Sequence, residues 1–517
     1  MGSESAPRVS YIWSQELQDV SDDLPSNIGR SSMVHGLIRA LDLLDIEATS
    51  VDGNDDLENG ECSRKATVVA PDESLGMEDC LLKYHDKAYV DALMTSRATS
   101  PPARDPTAPR SPTLKERERP TKRARTNKES RSNSNEHLDG FNLSHDNPIF
   151  PSLPRYISMI ASSTSTACKL LVEDKSDFVI CWDGGRHHAK KSQAGGFCYV
   201  NDLVLGLLLI SKEGKIPLTS SSSSSPTPSS SIGQDENQGV SQAVEQSQDQ
   251  VHTQSKKRKR TVSTRSPRIL YLDLDLHYSD GVSSAFHSTK TYPDPATRTT
   301  TTTSTSASKP TNPPIKPPSV LTFSIHHSST GFYPPSTSWS ELTSPRHPTP
   351  FSLAIPLKAY PSSRTYKKIW DGCVEPIVKE WNPDYIMVQL GSDGLPNDRV
   401  GQYGNWSVHD QGGMNWCIEK IKNWKKKTCF TGGGGYNHPN SARAWATVTS
   451  TLLGRPISAE TPIPHHDHFD EYAHSFTMEV PEGHMEDQND PEYIKKACDD
   501  FEYISRRIKD IVATSAL

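Results

Sequence analysis

The residues best suited to chemistry lie between Arg268 and Gly281, a segment that reads RILYLDLDLHYSDG. Asp273, Asp275 and His277 alternate with leucines, and successive side chains of a strand point to opposite faces, so the three polar groups would share one face. Carboxylate oxygens and an imidazole nitrogen are donors that suit Zn²⁺. An isolated stretch of this kind is more often an exposed strand with a solvated acidic face. The other motifs in the chain therefore determine whether a metal site is the better interpretation.

A pair of adjacent histidines, His187 and His188, follows the apolar run Phe178–Trp182. Histidine titrates near neutral pH without any perturbation, so two imidazoles could serve as a paired acid and base. Taken alone, such a pair is more often an ordinary loop feature. The segment continues into Gly196 and Phe197, where glycine allows close backbone approach and the ring offers an aromatic wall.

Further polar motifs follow later in the chain. Asp393 comes three residues after the end of the mostly apolar run 385–390 and could be a third metal ligand, although a turn or helix N-cap is the commoner role of such an Asp. Four glycines at 432–435 precede Tyr436, and no Gly-Lys-Ser/Thr follows to make a phosphate loop. We expect them to give Tyr436 room to hold its hydroxyl at a developing oxyanion. The cluster at 465–468 reads His-His-Asp-His and is interpreted as a surface loop, with adventitious metal binding as the alternative.

Short apolar runs alternate with helical patterns, which predicts an α/β fold: a mostly parallel sheet flanked by helices. The expected strands are Phe178–Trp182, Ile269–Leu276, Val320–Ile325, Tyr385–Leu390 and Thr428–Thr431. The expected helices are Met33–Asp45, Tyr199–Ser211, Tyr366–Lys379 and Gly412–Lys425. Ligands of such sheets bind beyond the carboxyl ends of the strands, where the polar motifs would converge.

Composition limits how much of the chain can be packed core. Only 33% of the 517 residues are hydrophobic and 39 are proline. Three polar stretches without periodicity, at about 96–138, 215–266 and 288–318, are predicted to be disordered insertions. Without them about 390 residues remain, which suits a single domain across 1–517.

The cysteines, with the expected lack of a secretory signal and a membrane span, predict a soluble intracellular protein. The nine cysteines include no CxxC pair and read as reduced thiols, and the net charge of −7 says little about partners. We expect no secretory signal and no membrane span, since the longest apolar run, Leu203–Ile210, is too short. The basic clusters Lys122–Arg125 and Lys256–Arg260 indicate the nucleus, with the cytoplasm as a second location, although a solvated basic stretch is the alternative.

Six blocks, in this order, resemble the zinc-dependent histone deacetylases, especially the class I branch. They are RSSMVH at 30–35, WDGGRHHAKKSQAGGFCYVND at 182–202, ILYLDLDLHYSDGV at 269–282, SIHHSSTGFYPP at 324–335, QLGSDGL at 389–395 and GGGGYNHPNSARAW at 432–445. The resemblance runs from about Tyr11 to the C-terminus outside the insertions, and it implies the arginase/deacetylase fold.

The resemblance implies a catalytic set. The zinc ligands would be Asp275, His277 and Asp393, with Fe²⁺ as an alternative metal because it accepts the same donors. The acid–base pair would be His187, oriented by Asp273, and His188, oriented by Asp280. His188 would be the general base and the proton donor to the leaving amine, whereas His187 would tune the electrostatics. Tyr436 would polarise the acetyl carbonyl.

The resemblance also implies substrate and cation contacts. The substrate residues would be Asp146 at the rim, Gly196, Phe197 and Tyr333 along a narrow tunnel, and Arg30 at an acetate exit channel. A first structural K⁺ site would use Asp273, Ser324 and Ile325, with the carbonyls of Asp275 and His277. A second would use carbonyls near Phe286, Val320 and Phe351, and the insertion at 288–318 splits that segment.

Five positions depart from the family pattern. Asn27 and His438 stand where corepressor-bound class I members have basic residues around an inositol phosphate, so that site is not carried over. Tyr278 and Ser279 stand where the family has His and Gly, and neither change removes an implied zinc ligand. Tyr333 stands where the family usually has Phe, which adds a hydroxyl to the tunnel wall.

The resemblance implies zinc-dependent hydrolysis of Nε-acetyl-lysine on proteins, histone tails among them, with release of acetate. Transcriptional repression and chromatin regulation would follow, with an acetylated histone or another acetyl-lysine protein and corepressor subunits as partners. We expect no direct sequence-specific contact with nucleic acid and no membrane partner. The alternatives are a deacylase of acetylpolyamines or other acyl-lysines, and a catalytically inactive scaffold subunit.

Overall fold

A computed structural model describes most of the chain. The described residues are 6–46, 64–96, 140–218, 263–288, 290–292, 316–401 and 403–515. Most of each predicted insertion lies outside these ranges, as do both basic clusters, Lys122–Arg125 and Lys256–Arg260. Within them, no helix combines the length and the apolar composition that a membrane span needs.

A large parallel sheet forms the centre of the fold. Its strands and the two strands of a small ribbon are β1 (Val9–Ile12), β2 (Leu44–Asp45), β3 (Ala66–Val69), β4 (Phe178–Cys181), β5 (Ile216–Pro217), β6 (Thr264–Arg265), β7 (Ile269–Asp273), β8 (Val320–His327), β9 (Ser352–Leu357), β10 (Tyr385–Gln389) and β11 (Lys427–Thr431). The nine-stranded sheet has the order β2-β3-β1-β4-β11-β10-β7-β8-β9, and every neighbouring pair is parallel. The predicted α/β class is therefore confirmed.

Helices flank the sheet. The α-helices of the described residues are α1 (Gln15–Asp22), α2 (Arg30–Ala40), α3 (Glu78–Leu81), α4 (Lys87–Thr95), α5 (Leu153–Val172), α6 (Asp202–Glu213), α7 (Asp280–Phe286), α8 (Ser363–Ile369), α9 (Glu375–Trp381), α10 (Met414–Asn423), α11 (His438–Leu452) and α12 (Pro491–Ser515). Along β7, Leu270 and Leu272 join one hydrophobic cluster, whereas Ile269 and Tyr271 join another. Because alternate side chains of a strand point to opposite faces, both faces of the sheet are buried.

The predicted strand Ile269–Leu276 is too long, and its true end matters for the site. β7 stops at Asp273. Beyond it, Asp273 Oδ1 accepts from the Asp275 amide at 3.0 Å, and Asp275 Oδ1 accepts from the His277 amide at 2.9 Å. Side chains that bond the amide two residues on offer the backbone an alternative to the strand ladder. Asp275 and His277 therefore lie on a bend after the strand.

Two predicted helices also need correction. The helix expected at Met33–Asp45 ends at Ala40, and Leu44–Asp45 is an edge strand. The helix expected at Tyr366–Lys379 is interrupted by a π-helical segment, Trp370–Val374. Pro376 follows that segment and has no amide hydrogen to donate to the preceding turn, which accounts for the break in the regular pattern.

The predicted insertions are wrong at their edges. Residues 216–217 and 264–265 pair as the antiparallel ribbon β5–β6, so the second insertion is ordered where it begins and ends. Tyr292, inside the predicted insertion at 288–318, is buried against Phe351. These short ordered segments were missed because their composition is as polar as that of the rest of each predicted insertion. The single-domain prediction stays a prediction.

Replacing residues 219–262 by Asn-Gly should leave the melting temperature equal to or above that of the full chain. The Leu218 amide donates to the Ser263 carbonyl at 2.8 Å, so the ends already meet, and each halving of loop length lowers the closure entropy cost by about 0.6 kcal/mol. Deleting residues 215–266 instead should lower the melting temperature. This deletion removes Arg265, whose guanidinium donates to both carboxylate oxygens of Asp384. Calorimetry on the three proteins checks this. A lower melting temperature for the Asn-Gly variant would contradict it.

Candidate active site

The polar motifs meet at the carboxyl end of the sheet's centre. β4, β11, β10 and β7 are consecutive neighbours, and parallel strands end at the same edge. In that order, the loops after them contribute the histidine pair 187–188, the glycines 432–435, Asp393 and the segment 275–277. Residues far apart in the chain are thereby brought into one site.

Asp275, His277 and Asp393 form a three-ligand cluster. One ligand atom from each lies within 4.8 Å of the other two, and all three residues are buried. His277 Nδ1 lies 3.2 Å from Asp275 Oδ1 and 3.0 Å from Asp393 Oδ2. In the part of the chain that the structure describes, no other such group of His, Cys, Asp or Glu occurs, and the cluster at 465–468 does not form one.

Neighbouring groups hold the two carboxylates in place. Asp275 Oδ2 accepts from Gln389 Nε2 at 2.8 Å and from the Gly434 amide at 2.9 Å. Asp393 Oδ1 accepts from the amide of Leu276 at 3.1 Å. Such outer contacts orient ligands before a metal binds.

Three glycines make room for these carboxylates. A Cβ on Gly391 would collide with Asp275 Oδ2, and one on Gly434 would collide with Asp393 Oδ2. A Cβ on Gly433 would collide with the Gln389 amide that holds Asp275. The glycine-rich loop therefore provides close approach to the ligand cluster, as well as the approach to Tyr436 expected from the sequence.

The donor set fits a divalent cation such as Zn²⁺. Burial, with the charge of Asp275, raises the pKa of Asp393 to about 6, because two carboxylates out of water repel each other. Burial alone would lower the pKa of His277, but its bonds to Asp275 and Asp393 raise it to about 10. A cation among these atoms would compensate the negative charge, and two oxygens with one nitrogen are ligands that zinc accepts.

The two histidines have different electrostatic surroundings. His187 Nδ1 lies 2.8 Å from Asp273 Oδ2, and His188 Nδ1 lies 2.8 Å from Asp280 Oδ1, as the resemblance implied. Burial opposes the charge of His187, but Asp273 and Asp275 outweigh it and raise its pKa to about 9. Burial, with the charge of His187, lowers the pKa of His188 to about 4. These surroundings favour the charged form of His187 and the neutral form of His188.

Asp202 fixes the loop that presents the histidines. It is the first residue of α6, and its carboxylate accepts from the amides of Gly185 at 2.9 Å and Arg186 at 2.7 Å. A Cβ on Gly185 would collide with the carbonyl of Gly432, and its φ of +97° also favours glycine. The histidine loop and the glycine loop therefore pack backbone to backbone.

A tight turn, Gly195–Cys198, places Phe197. The amide of Cys198 donates to the carbonyl of Gly195 at 2.7 Å, and both central residues, Gly196 and Phe197, have positive φ, +50° and +64°. This is the pattern of a type I′ turn, and a non-glycine residue in that conformation costs about 1–2 kcal/mol. The turn directs the Phe197 ring towards the Tyr436 ring, with 5.6 Å between the ring centroids.

Tyr436 is held through its backbone on both sides. Its own amide donates to Asp398 Oδ2 at 2.6 Å. The next residue, Asn437, caps α11 by accepting from the Asn440 amide at 3.2 Å. Burial, with the charges of Asp393 and Asp275, raises the pKa of the Tyr436 phenol well above its ordinary value, so the hydroxyl remains a donor.

A narrow pocket of about 140 Å³ leads to the ligand cluster. The predicted residues that line it are Asp146, His187, His188, Gly196, Phe197, Asp275, His277, Tyr333, Asp393 and Tyr436. Asp273 and Asp280 lie behind the imidazoles that they contact. The sequence motifs thus converge on a single cavity.

Arg30 lies behind the glycine loop rather than on the wall of this pocket. Its guanidinium donates to the carbonyls of Gly433 at 2.9 Å and Gly435 at 3.0 Å. Burial, with the charge of Arg186, lowers the pKa of Arg30 to about 10. Arg30 therefore orders the loop that holds the ligands, and its role at an exit channel stays a prediction.

The residues implied for the first cation site lie on β7 and β8. Asp273 pairs in register with Ser324, and Ile325 follows on β8. Of the second set, Val320 begins β8, Phe286 ends α7, and Phe351 precedes β9. Phe351 uses its carbonyl to accept from the Thr322 amide at 3.0 Å. Both K⁺ sites stay predictions.

Three supporting residues were not singled out from the sequence. Gln389 holds Asp275, the Tyr271 hydroxyl donates to Asp273, and the Phe332 ring stacks on His277 at 5.0 Å between centroids. Gln389 is the polar end of an otherwise apolar strand, a signal that could have been used. Tyr271 and Phe332 follow the ordinary pattern of core residues and gave none.

Asp275→Ala should abolish tight zinc binding, because it removes one of three ligand side chains. Asp183→Asn is the matched control, since Asp183 is an equally buried carboxylate that contacts Ser31 and His35 instead. Metal analysis after dialysis should find one zinc per chain in the wild type and the control, and none in Asp275→Ala. Zinc at wild-type stoichiometry in folded Asp275→Ala would contradict the assignment.

Comparison with known proteins identifies the family. The model of the histone deacetylase domain matches residues 54–217 and 256–452. Histone deacetylase 8 of Xenopus laevis is 27% identical over 358 residues, covering 69% of this chain and 83% of the relative. Its counterpart in Xenopus tropicalis is 25% identical over 505 residues, covering 97% and 98%. Histone deacetylase 9 of Arabidopsis thaliana is 28% identical over 354 residues, covering 68% and 63%. Because the domain model matches well over half of the chain, the protein belongs to the histone deacetylase family of the arginase/deacetylase superfamily.

Proposed function

We propose that the protein is a zinc-dependent hydrolase that removes the acetyl group from Nε-acetyl-lysine in proteins, histone tails among them, and releases acetate. The observation that carries the proposal is the convergence, around one narrow pocket, of a buried Asp-His-Asp cluster, two histidines that are each bonded to a carboxylate, and a tyrosine. Membership of the histone deacetylase family supports the reaction class.

The metal would be held by Asp275, His277 and Asp393. When bound, a divalent cation there acts as a Lewis acid on a carbonyl oxygen and lowers the pKa of water. Three protein ligands leave coordination positions open, as hydrolysis requires. Fe²⁺ accepts the same donors, so metal analysis decides which cation is used.

His188 supplies the proton transfers. Burial and the charge of His187 favour its neutral form, and Asp280 bonds its Nδ1, so Nε2 is the basic nitrogen. We propose that Nε2 takes a proton from the attacking water and later gives one to the leaving amine of lysine. His187 keeps its own proton and adds positive charge next to the developing oxyanion.

Tyr436 stabilises the oxygen that becomes negative. Its phenol stays protonated and lines the same pocket as the metal ligands. A hydroxyl that donates to the acetyl oxygen strengthens its bond as negative charge develops there, which lowers the barrier to attack.

The pocket walls select a long, thin substrate. Phe197 and Tyr333 line it with aromatic surface suited to methylene groups, and the carbonyl of Gly196 is available to accept the amide hydrogen of the acylated lysine. Asp146 is exposed at the same pocket, where it can accept amide hydrogens of a polypeptide. These features favour acetyl-lysine in a protein over acetylpolyamines or bulkier acyl groups.

An inactive scaffold is the alternative outside catalysis. An assay that measures acetate released from acetylated histone-tail peptides distinguishes the enzyme from the scaffold. The proposed enzyme hydrolyses these peptides and loses activity when its metal is removed. If folded, zinc-loaded protein has no activity on acetylated peptides, the enzyme proposal is wrong and the inactive-scaffold alternative remains.

Tyr436→Phe should retain the fold and the zinc but lower kcat by about 10²–10³, the usual loss when an oxyanion donor is removed. Tyr199→Phe is the control, because it removes the hydroxyl of another buried tyrosine, which donates to the Pro148 carbonyl at 2.6 Å and does not line the pocket. Steady-state kinetics on one acetylated peptide compare the two. A Tyr436→Phe enzyme within a factor of three of wild type would remove the tyrosine from the mechanism.

We also propose action in the nucleus, with transcriptional repression through histone tails and corepressor subunits, and a secondary presence in the cytoplasm. The basic clusters Lys122–Arg125 and Lys256–Arg260 support it. Replacing the basic residues of both clusters by Ala should move a fluorescently tagged protein out of the nucleus without lowering its activity in vitro. An unchanged nuclear signal would contradict a localisation role for them.

A further inference from the structure

Tyr333 lies at the outer part of the active-site pocket, since it lines both that pocket and a neighbouring depression of the surface. Its ring packs edge-on against His188, with 4.9 Å between centroids, and the residue is 38% exposed. The hydroxyl makes no hydrogen bond with any residue that the structure describes. An aromatic wall would need only a phenyl ring, so the oxygen calls for its own explanation.

The Tyr333 hydroxyl occupies the space that a side chain at position 195 would need. A Cβ at position 195 would lie 2.9 Å from Tyr333 Oη, and the next nearest atom, the His188 carbonyl oxygen, would be 3.7 Å away. The φ angle of Gly195 is not in the left-handed region, so its conformation does not require glycine. At Gly196, by contrast, both φ and a collision with the His188 ring exclude a side chain. The lack of a side chain at 195 is therefore explained by the hydroxyl at 333.

The hydroxyl is a hydrogen-bond donor next to an acceptor of opposite character. Burial, with the charges of Asp280 and Asp146 nearby, raises the pKa of the Tyr333 phenol, so it keeps its proton. Asp146 is exposed on the same pocket and, as a carboxylate, can only accept. The residues that line the pocket therefore include a donor, Tyr333, and an acceptor, Asp146.

A polypeptide matches this pair. The methylene groups of an acylated lysine have no polar atom, so the first polar groups outside the pocket are the backbone N–H and C=O of the residue and its neighbours. Asp146 suits the N–H groups and a phenol suits a C=O group. An acylated diamine has the same methylene chain and amide but no backbone carbonyl.

We propose that Tyr333 is a specificity-determining residue whose hydroxyl donates a hydrogen bond to a backbone carbonyl of the acyl-lysine polypeptide. The proposal rests on the proposed function and adds to it a means of choosing protein substrates over acylated polyamines. Gly195 is the positioning partner that leaves space for the hydroxyl.

Tyr333→Phe tests the hydrogen bond with two probes, an acetylated lysine peptide and N-acetyl-1,5-diaminopentane. One hydrogen bond of ordinary strength corresponds to about a 3- to 10-fold change, so the peptide KM should rise by that factor while kcat holds. The ratio of kcat/KM for the peptide to kcat/KM for the diamine should fall by the same factor. A ratio equal to that of wild type overturns the proposal, because a wall effect acts equally on the methylene chain that the probes share. If the wild type turns over neither probe, the proposed function itself fails.

Gly195→Ala tests the pairing independently. In the wild-type background the new methyl group would displace the Tyr333 hydroxyl and lower the same ratio. In the Tyr333→Phe background the methyl group meets no hydroxyl, so the ratio should fall no further. Residues in contact show such non-additivity, whereas independent sites add. Equal falls in both backgrounds, in variants whose melting temperature and zinc content match their parents, would overturn the pairing.

Discussion

The structure depends on one electrostatic constraint: two carboxylates, Asp275 and Asp393, are buried beside the same imidazole at the end of the sheet. Like charges out of water repel, and burial disfavours each of them further. Hydrogen bonds from Gln389 and from two backbone amides stabilise the carboxylates against this repulsion. A divalent cation among these ligand atoms would complete the compensation, as the proposed function requires.

The loops around the site follow from that constraint. Glycines stand where any side chain would collide with a carboxylate or with its support, and Arg30 bonds the carbonyls of the glycine loop from behind. The negative charge also separates the two histidines. His187, next to Asp273 and Asp275, is stabilised as a cation, and its charge helps to keep His188 neutral. One charge distribution thus prepares both the metal site and the acid–base pair.

The sequence predicted the centre of the fold well because the central strands are short, apolar and directly followed by polar motifs. Expecting the motifs after β4, β7, β10 and β11 to meet at one edge required only that the strands be parallel, and they are. The end of β7 was missed because Asp273 and Asp275 bond the backbone themselves, which an alternating pattern does not reveal. The strands β1, β2 and β3, at one side of the sheet, were missed because they have only two to four residues and lack a following polar motif.

Contacts made across the fold were the least predictable part of the site. That Gly195 accommodates the Tyr333 hydroxyl, or that Phe332 stacks on His277, depends on tertiary positions that no local pattern contains. The resemblance to deacetylases correctly paired His187 with Asp273 and His188 with Asp280, because contacts of this kind are inherited with the fold. It could not show that Arg30 bonds the glycine loop, since residue type alone does not tell what a guanidinium contacts.

The central claim is that a single metal ion held by Asp275, His277 and Asp393 is needed for deacetylation. The most direct test titrates metal-stripped protein with Zn²⁺ while hydrolysis of an acetylated lysine peptide is measured. The account predicts no hydrolysis in the stripped protein, followed by a linear rise that levels off at one zinc per chain. Full activity in stripped protein, with no further gain when zinc is added, would contradict it.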